Sequence, residues 1–557
     1  MSEFAGAVAA AAIRDAFQRL GAAAAFGLPG GPNQALFQAL RGSQTRLVVP
    51  THELAAAFMA GSYGRIDGRP GILLTISGPG FAFALNGLAE AWQDSAPLLH
   101  LVAGPPAEPH RRLRHQGLDQ AALARPIVKA VFGVREVAQI GTVLGAAWEC
   151  ARSGEPGPVL VQLGADEATP PAPAPAPDLE GARRIWARVH AARRPVLLLG
   201  QGCAQVAPLV RAYVERTGTP VFSTPSGRGI IPESSPWCLG YDTLRESTAA
   251  LNDFLIEADL VLAVGARLAH NGTAGGALRL PPEKLLHVDA NPVNLNALYA
   301  ASEVAALRAE EFFALPQAAA APRTDWTIAT LAPRRAQIAS VHPDSPEPRY
   351  AGGAPRDFFV ALRAALPDEA LVVTDSGLHQ VLARRYFEVR APHGLFLPTD
   401  LQSMGFGLPA AIAARLASPA RPVVALIGDG GALMSGLELA VAVREQLALT
   451  VIVFNDGYLN QIRLQQLGDR GRSYGVTLPE IDFRALAQAV GADYVAPDPG
   501  LAALQECARS SKVTLIEVAV SDGAALSAAA LRQRAKALAG DALGETRGAR
   551  VRAWLRR

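Results

Sequence analysis

Two short acidic segments have the residue types needed to bind a phosphate group through a metal ion. GDGG at 428–431 follows the apolar run VVALI, and NDG at 455–457 follows TVIVF. Glycines let a phosphate approach the backbone, and a helix that starts there offers free N–H groups. Because a carboxylate repels phosphate, Asp429 and Asp456 favour a divalent cation between them and the phosphate. Each segment alone is equally typical of a tight turn.

The elements around these segments must bring the two carboxylates together. Apolar runs separated by helical patterns recur along the chain, and such runs are typical of parallel strands covered by helices on both faces. Ligands bind beyond the carboxyl ends of these strands, where Asp429 and Asp456 would share one Mg²⁺ with the Tyr458 carbonyl. The sequence therefore predicts an α/β fold of doubly wound parallel sheets. The predicted strands are 72–76, 97–103, 195–200, 260–265, 285–290, 371–375, 423–429 and 450–456.

The length of 557 residues predicts three or four domains, and two candidate linkers favour three. One is the proline-alternating stretch TPPAPAPAPD at 169–178, and the other is rich in proline, glycine and charge at about 333–356. The basic C-terminal tail is most simply a solvated helix. We expect domains at 1–168, 185–330 and 350–525, followed by the tail at 526–557.

Composition excludes several classes of function. A formal net charge of +2, from 52 basic and 50 acidic residues, gives no electrostatic basis for binding nucleic acid or an anionic membrane. No apolar stretch reaches the ~20 residues of a membrane span, and the N-terminus lacks the basic start of a signal peptide. The four cysteines form no C-x-x-C pair, and scattered thiols fit a reducing cytosol, so we expect a cytoplasmic protein.

The order of several motifs resembles that of the thiamin diphosphate (ThDP)-dependent decarboxylase and carboligase superfamily. Within it, the sequence most resembles acetolactate synthases and their relatives. GDG, followed by Asn-Asp at the end of the next strand, resembles the ThDP motif of that family. GRPGILLTISGPG at 68–80 resembles its pyrimidine-binding domain, RPVLLLGQG at 194–202 its middle domain, and SMGFGLPAA at 403–411 its diphosphate-binding domain. The resemblance covers nearly the whole chain and implies these three domains in this order. It also leaves open that the basic tail at 526–557 caps the active site, as tails do in some relatives.

The resemblance implies a role for each matching residue. Glu53 would be the catalytic carboxylate. Hydrogen-bonded to the pyrimidine ring of the cofactor, it would promote removal of the cofactor proton whose loss gives the reactive ylid. Asp429, Asp456 and the Tyr458 carbonyl would bind Mg²⁺, although most relatives have Asn in place of Asp456. Met404 would force the cofactor into a bent shape. The other implied cofactor-binding residues are Gly377, His379, Gly428, Gly430, Gly431, Met434 and Tyr458.

The expected substrate pocket combines matches to the acetolactate synthase branch with departures from it. Gln116 matches and would hydrogen-bond a substrate or intermediate, whereas His115 is either an acid/base candidate or a surface histidine. Phe83 replaces an Asn of many relatives. The branch's Phe-Asp-Asp-Arg falls on LAHN at 268–271, so the arginine that would grip a substrate carboxylate is missing. Gln465 replaces a tryptophan. An aldehyde, an acyl acceptor or a proton is therefore open as the second substrate.

The implied function is that of a ThDP-dependent C–C lyase or carboligase acting on a 2-oxo acid such as pyruvate. The implied reaction begins with attack of the ylid on the 2-oxo acid and continues with loss of CO₂. The unit that remains would then be transferred to an acceptor or protonated. The alternatives are a flavin-dependent 2-oxo acid oxidase, a simple 2-oxo acid decarboxylase and a non-catalytic homologue. Binding of FAD stays open, because 265–276 and 287–292 lie where some relatives hold it.

The resemblance also implies the assembly. Family members place the residue corresponding to Glu53 of one chain opposite the diphosphate of another, which implies a homodimer or homotetramer with active sites at the subunit interface. We expect a small-molecule substrate and neither nucleic acid nor membrane as a partner.

Overall fold

The computed structural model describes residues 4, 6–103, 115–165, 176–240, 245–339, 347–496, 504–505 and 510–522. Within these ranges the chain forms three α/β units, each built on its own sheet. The predicted tail at 526–557 and most of the predicted linker at 169–178 lie outside the described residues. None of the helices in the described ranges is both long enough and apolar enough to span a bilayer.

The N-terminal unit contains a six-stranded, entirely parallel sheet. Its strands are β1 (Ala24–Gly27), β2 (Arg46–Val48), β3 (Gly71–Thr75), β4 (Leu98–Ala103), β5 (Val131–Val134) and β6 (Pro158–Leu163), in the order β2-β1-β3-β4-β6-β5. Its helices are α1 (Ala7–Leu20), α2 (Gln34–Leu40), α3 (Glu53–Asp67), α4 (Pro79–Gln93), α5 (Gln120–Ala124) and α6 (Ile140–Arg152). The central strands are buried on both faces, as their unbroken apolar sequences predict.

The middle unit repeats this architecture with a second six-stranded parallel sheet. Its strands are β7 (Pro195–Leu199), β8 (Val221–Ser223), β9 (Cys238–Gly240), β10 (Leu260–Val264), β11 (Leu285–Asp289) and β12 (Glu303–Ala306), in the order β12-β11-β10-β7-β8-β9. Its helices are α7 (Leu179–Ala191), α8 (Ala207–Thr217), α9 (Arg245–Glu257), α10 (Ala309–Phe313), α11 (Pro316–Ala320) and α12 (Ile328–Ala339).

The second predicted linker, at about 333–356, is wrong in part. Residues 333–339 complete α12, which contains Pro333, and residues 349–356 include a short strand and the start of the next helix. Helix α12 forms because Leu331 and Ile338, seven residues apart, pack together into the apolar core of the middle unit. This unit therefore extends past residue 330, and α7 begins at Leu179, before residue 185.

The C-terminal unit has a seven-stranded sheet in which one edge strand is antiparallel. Its strands are β13 (Arg349–Tyr350), β14 (Leu371–Thr374), β15 (Leu395–Phe396), β16 (Val423–Gly428), β17 (Leu449–Asn455), β18 (Asp493–Val495) and β19 (Val513–Ser521), in the order β13-β19-β17-β16-β14-β15, with β18 beside β19. Its helices are α13 (Pro355–Ala365), α14 (Leu378–Tyr386), α15 (Gly407–Ala417), α16 (Asp429–Ser435), α17 (Glu438–Arg444), α18 (Asn460–Arg470) and α19 (Phe483–Val490). The predicted doubly wound α/β class is confirmed.

The N-terminal and C-terminal units share one apolar core. Helix α3 packs against α15, and the Phe58 ring meets the Phe406 ring edge-on with 5.5 Å between centroids. Alanines dominate the contact, so the two helix backbones come close together. Full burial of one phenylalanine side chain contributes ~1.5–3 kcal/mol to folding. The tips of the two sheets are therefore held in a fixed relation across this core.

Candidate active site

Asp429 and Asp456 lie side by side at the carboxyl ends of neighbouring parallel strands. Strand β16 pairs with β17 up to Gly428 and Phe454, so the pairing ends directly before Asp429 and at the residue before Asn455-Asp456. Asp429 Oδ2 accepts hydrogen bonds from the backbone N–H groups of Asp456, at 3.2 Å, and Gly457, at 2.6 Å. Burial, and after it the charge of Asp429, raises the pKa of Asp456 to about 7. Such a pair favours a cation between the two carboxylates.

The donor set fits a hard divalent cation. Asn460 Nδ2 donates to Asp456 Oδ2 at 2.8 Å, and the N–H of Tyr458 donates to Oδ1 at 2.9 Å, so the second carboxylate has a fixed orientation. No group of three or more His, Cys, Asp and Glu side chains is placed to hold a metal in the ranges that the structure describes. The protein would supply two carboxylates and a backbone oxygen, which suits Mg²⁺ completed by phosphate and water.

Two helix N-termini flank these carboxylates. Helix α16 begins at Asp429 after Gly428, and α14 begins after Gly377, whose φ of 151° suits glycine. The ring of His379, in the first turn of α14, stacks on Phe454 with 5.8 Å between centroids. Burial lowers the pKa of His379 to about 4, and its Nε2 has no hydrogen-bond partner among the described residues. Free N–H groups and an unpartnered ring nitrogen fit a bound diphosphate.

Asp375 is a site residue to which the sequence reasoning assigned no role. Its carboxylate accepts hydrogen bonds from the N–H groups of Ser376, at 2.7 Å, and Gly405, at 3.0 Å, and burial raises its pKa to about 7. A Cβ on Gly431 would lie 2.3 Å from its Oδ2, so only glycine fits there. Asp375 thus ties the end of β14 to the turn that carries Met404. Its place directly after an apolar run is the signal that could have found it.

The two predicted methionines lie over the same glycine turns. A Cβ on Gly430 would lie 3.2 Å from Met404 Cε, and a Cβ on Gly405 would lie 3.0 Å from Met434 Cβ. Met434 is 56% exposed although it is apolar. The structure therefore brings Met404, Met434 and the GDGG turn to one place.

Glu53 is the first residue of α3, and the residues around it come from both outer units. His52 caps the helix, with its Nδ1 accepting a hydrogen bond from Ala55 N at 3.1 Å. Burial lowers the pKa of His52, and the nearby Met434 carbonyl partly opposes that shift. A Cβ on Gly80 would lie 2.8 Å from Glu53 Oε1, so the N-terminus of α4 closes one side of the carboxylate.

The substrate-pocket candidates divide into two groups. Gln116, with a φ of 58°, accepts a hydrogen bond from Ser77 Oγ at 3.3 Å and lies against the turn before α4. The Phe83 ring packs on His52 with 5.1 Å between centroids. Phe83 therefore lies at the Glu53 turn, and Gln116 lies beside the turn that leads into α4. His115 is exposed in the same turn as Gln116, and Asn271 instead donates to the Thr399 carbonyl at 2.7 Å, between the middle and C-terminal units.

A separate cavity lies where the three units meet. Strand ends of the middle unit line it at 201–202, at 265–267 and at Asp289. Arg267 forms an ion pair with Asp400 of the C-terminal unit at 2.7 Å. Burial raises the pKa of Asp289 to about 6. This cavity coincides with the segments where the sequence left FAD binding open.

Three family models match the chain in the order of its three units. They are the thiamine pyrophosphate enzyme N-terminal TPP binding domain over 8–123, the central domain over 182–312 and the C-terminal TPP binding domain over 375–518. Thiamine pyrophosphate is another name for ThDP. The chain belongs to the thiamine pyrophosphate enzyme family.

Individual relatives define the class further. The chain is 30% identical to acetolactate synthase isozyme 1 large subunit of Escherichia coli, with 84% of this chain and 85% of the relative covered. It is 32% identical to the probable 2-ketoarginine decarboxylase AruI of Pseudomonas aeruginosa, with 88% and 90% covered. It is 28% identical to the acetolactate synthase large subunit of Lactococcus lactis, with 87% of each covered. The protein is a ThDP-dependent enzyme of the carboligase and decarboxylase class.

Proposed function

We propose that this enzyme decarboxylates a 2-oxo acid in a reaction that requires ThDP and Mg²⁺, and passes the remaining acyl unit to an acceptor or to a proton. The observation that carries the proposal is the pair of carboxylates, Asp429 and Asp456, at adjacent strand ends between two helix N-termini. An unpaired diphosphate would be repelled there, whereas a diphosphate with its metal ion is bound by both features.

The chain's own residues divide the work between the two ends of the cofactor. When bound, ThDP would supply a carbon nucleophile and an electron sink for decarboxylation. Asp429, Asp456 and the Tyr458 carbonyl hold the metal ion. The N–H groups that begin α14 and α16, together with His379, bind the diphosphate. Glu53 holds and moves a proton at the pyrimidine ring.

The substrate class follows from the pocket and from the relatives. Gln116 and the Ser77 hydroxyl offer hydrogen bonds to a polar substrate group, while Phe83 makes the other wall apolar. The named relatives include both acetolactate synthases and a probable 2-ketoarginine decarboxylase. Both names support a 2-oxo acid donor, and they differ on whether an acceptor other than a proton is needed.

FAD is a second candidate cofactor. The cavity at the three-unit junction favours it, because Asp289 ends a strand there as a ribose-binding carboxylate does in nucleotide sites. A flavin-dependent 2-oxo acid oxidase on this scaffold is accordingly the alternative function. Purified enzyme with a yellow chromophore that a 2-oxo acid bleaches would support the oxidase. A colourless enzyme that releases CO₂ would exclude it.

We further propose a homodimer or homotetramer that acts in the cytoplasm on small molecules. Exposed apolar side chains on α16 and the turn after it support a subunit interface beside the cofactor site: Leu433, Met434 and Leu437. Three cysteines in the described ranges are buried free thiols, which supports a reducing compartment.

The test is a panel of 2-oxo acids assayed for CO₂ release with ThDP and Mg²⁺ present. Glu53→Gln keeps the shape of the side chain and removes its ability to exchange a proton, so it should lower kcat by roughly 100-fold or more while the variant still binds ThDP. Glu149→Gln, at an exposed carboxylate paired with Arg152, is the matched control and should retain full activity. Equal CO₂ release by wild type and Glu53→Gln would refute the proposed role of Glu53.

A further inference from the structure

Glu438 is a buried carboxylate that contacts the other catalytic unit. It is the first residue of α17 and is 0% exposed. Its Oε1 accepts two hydrogen bonds from Thr51, one from the backbone N–H at 2.9 Å and one from the hydroxyl at 2.5 Å. Its Oε2 is buried and has no hydrogen-bond partner among the described residues. One carboxylate oxygen thus accepts two hydrogen bonds, while the other accepts none from the described residues.

Core stability does not account for this carboxylate. Burial raises the pKa of Glu438, because desolvation disfavours the charged form. Replacing a buried polar group together with its hydrogen-bond partner by apolar groups of the same shape is often nearly neutral for stability. The neighbouring residues of α17, Leu439, Val441 and Ala442, show that an apolar side chain suits this helix. The two bonds to Thr51 are what distinguishes Glu438 from them.

The two hydrogen bonds to Glu438 hold the turn that precedes Glu53, the candidate catalytic residue. Thr51 precedes the cap His52, and Glu53 begins the helix. The backbone of Thr51 is fixed by the C-terminal unit, and the ring of His52 lies near the Met434 carbonyl of the same unit. Glu53 therefore follows a turn whose backbone is held by the C-terminal unit of its own chain.

We propose that Glu438 is a positioning residue for Glu53, holding the Thr51 turn of the N-terminal unit at a fixed distance from the C-terminal unit. The inference rests on the proposed role of Glu53 at the cofactor. Without this contact the turn still leads into α3 but moves more freely, and Glu53 moves with it relative to the cofactor at the subunit interface. A displacement of about 1 Å can lower a reaction rate by about 100-fold, because a proton must be transferred over a short distance.

A second buried glutamate makes the reverse contact, from the N-terminal unit to a turn of the C-terminal unit. Glu90, on α4 of the N-terminal unit, accepts a hydrogen bond from Ser403 N at 3.0 Å, immediately before Met404. Its Oε1 is likewise buried with no partner in the described part of the chain. Asn86, one turn earlier on α4, donates to the Ser403 hydroxyl at 3.3 Å. Each catalytic unit therefore uses a buried glutamate to hold the turn that carries the other unit's candidate cofactor contact.

The test compares Glu438→Leu with Glu438→Gln in the full-length enzyme. Leucine removes both hydrogen bonds, whereas the amide oxygen of glutamine still accepts them. We expect Glu438→Leu to accelerate amide hydrogen exchange at 51–55 by about tenfold or more in the protein without cofactor. We expect its kcat per bound ThDP to fall by roughly 10- to 100-fold, with the half-saturating ThDP concentration within about threefold of wild type. Glu438→Gln should recover most of both losses.

Glu445→Leu is the matched control, because Glu445 also reaches the N-terminal unit, through Arg46 at 3.1 Å, without touching Thr51. It should change neither exchange at 51–55 nor kcat. Unchanged exchange at 51–55 in Glu438→Leu would overturn the positioning role. So would a loss of activity that matches the loss of folded, ThDP-binding protein, since that marks a structural role alone. A wild type that releases no CO₂ would instead reject the proposed function, because the exchange experiment needs no turnover.

Discussion

Arg65 and Asp94 form an ion pair with 2.6 Å between Nη1 and Oδ2, and the two side chains are only 4% and 3% exposed. The same guanidinium donates to Gln201 Oε1 of the middle unit at 2.9 Å and to the Leu397 carbonyl of the C-terminal unit at 2.9 Å. Asp94 in turn accepts a hydrogen bond from Thr399 N at 3.2 Å. A single pair within the N-terminal unit therefore connects all three units.

Replacing one member of this pair should destabilise the protein strongly. Arg65→Met leaves Asp94 as an unpaired buried charge, so we expect the free energy of unfolding to fall by ~3–5 kcal/mol. Urea unfolding followed by circular dichroism measures the change. Arg69→Met is the control, because Arg69 pairs with Asp67 at the surface, and it should cost at most ~1 kcal/mol. Equal effects of the two substitutions would contradict the interpretation.

Gly80→Ala should impair catalysis more than folding. The new methyl group would lie 2.7 Å from Ile76 Cγ1 and 2.8 Å from Glu53 Oε1, so the carboxylate must move. We expect kcat to fall by roughly tenfold or more with ThDP binding retained, measured by steady-state kinetics and calorimetry. Gly145→Ala, inside α6 with nothing within 4 Å of the new methyl group, should keep full activity and gain ~0.5–1 kcal/mol of stability. A fully active Gly80→Ala enzyme would show that Glu53 is free to shift.

Asp429 and Asp456, the two metal-binding candidates, should differ in how well asparagine replaces them. Asp429 accepts backbone hydrogen bonds through both oxygens, so Asp429→Asn places an N–H₂ group against donors and should raise the half-saturating Mg²⁺ concentration by about 10- to 100-fold. Asp456 also accepts through both oxygens, but one donor is the Asn460 side-chain amide, which can turn its own oxygen toward the new N–H₂ group. For Asp456→Asn we therefore expect a change within about threefold. Titration of EDTA-treated enzyme with Mg²⁺ measures both. Similar losses in both variants would argue that both charges are needed.

Stability should fall as pH rises through the titration of Glu90. Burial, followed by the charge of Asp94, raises the pKa of Glu90 from its ordinary value of 4.5 to about 7, against the hydrogen bonds from Ser403 and the charge of Arg65. The folded protein therefore holds a proton that the unfolded chain has lost. This contribution is complete below the unfolded pKa and disappears as pH rises through about 7.

Glu90→Gln should flatten that dependence, because an amide does not titrate. Melting temperatures recorded from acidic to mildly alkaline pH should decline less steeply for Glu90→Gln than for the wild type. Glu149→Gln, at the surface, should follow the wild-type slope. Parallel slopes for wild type and Glu90→Gln would assign the pH dependence to other groups.

Eight strands and the metal-site candidates are predictable because local sequence determines them. Each of the eight predicted apolar runs overlaps a strand of the structure, since strands buried on both faces need apolar side chains at every position. The shorter strands, such as β2 and β9, lack such a run. Asp429 and Asp456 are acidic residues at the ends of two of those runs. Asp375 ends the run at 371–375 in the same way, so the same rule points to it, although the motif around it indicates a diphosphate turn.

Contacts between distant segments could not be predicted in the same way. Nothing in the sequence around Glu438 or Glu90 distinguishes a buried acid that faces another unit from an exposed one on a helix. The predicted linker at about 333–356 is wrong over 333–339 for a different reason. Pro333 indicates an irregular segment, but α12 accommodates it. Tertiary packing decides both cases.

The shared core of α3 and α15 has a consequence for synthesis. Phe58 leaves the ribosome roughly 350 residues before Phe406, a delay of about 20–70 s at elongation rates of about 5–20 residues/s. During that interval the face of α3 that packs on α15 lacks its partner. We therefore expect the nascent chain to need shielding at this face until its own C-terminal third arrives.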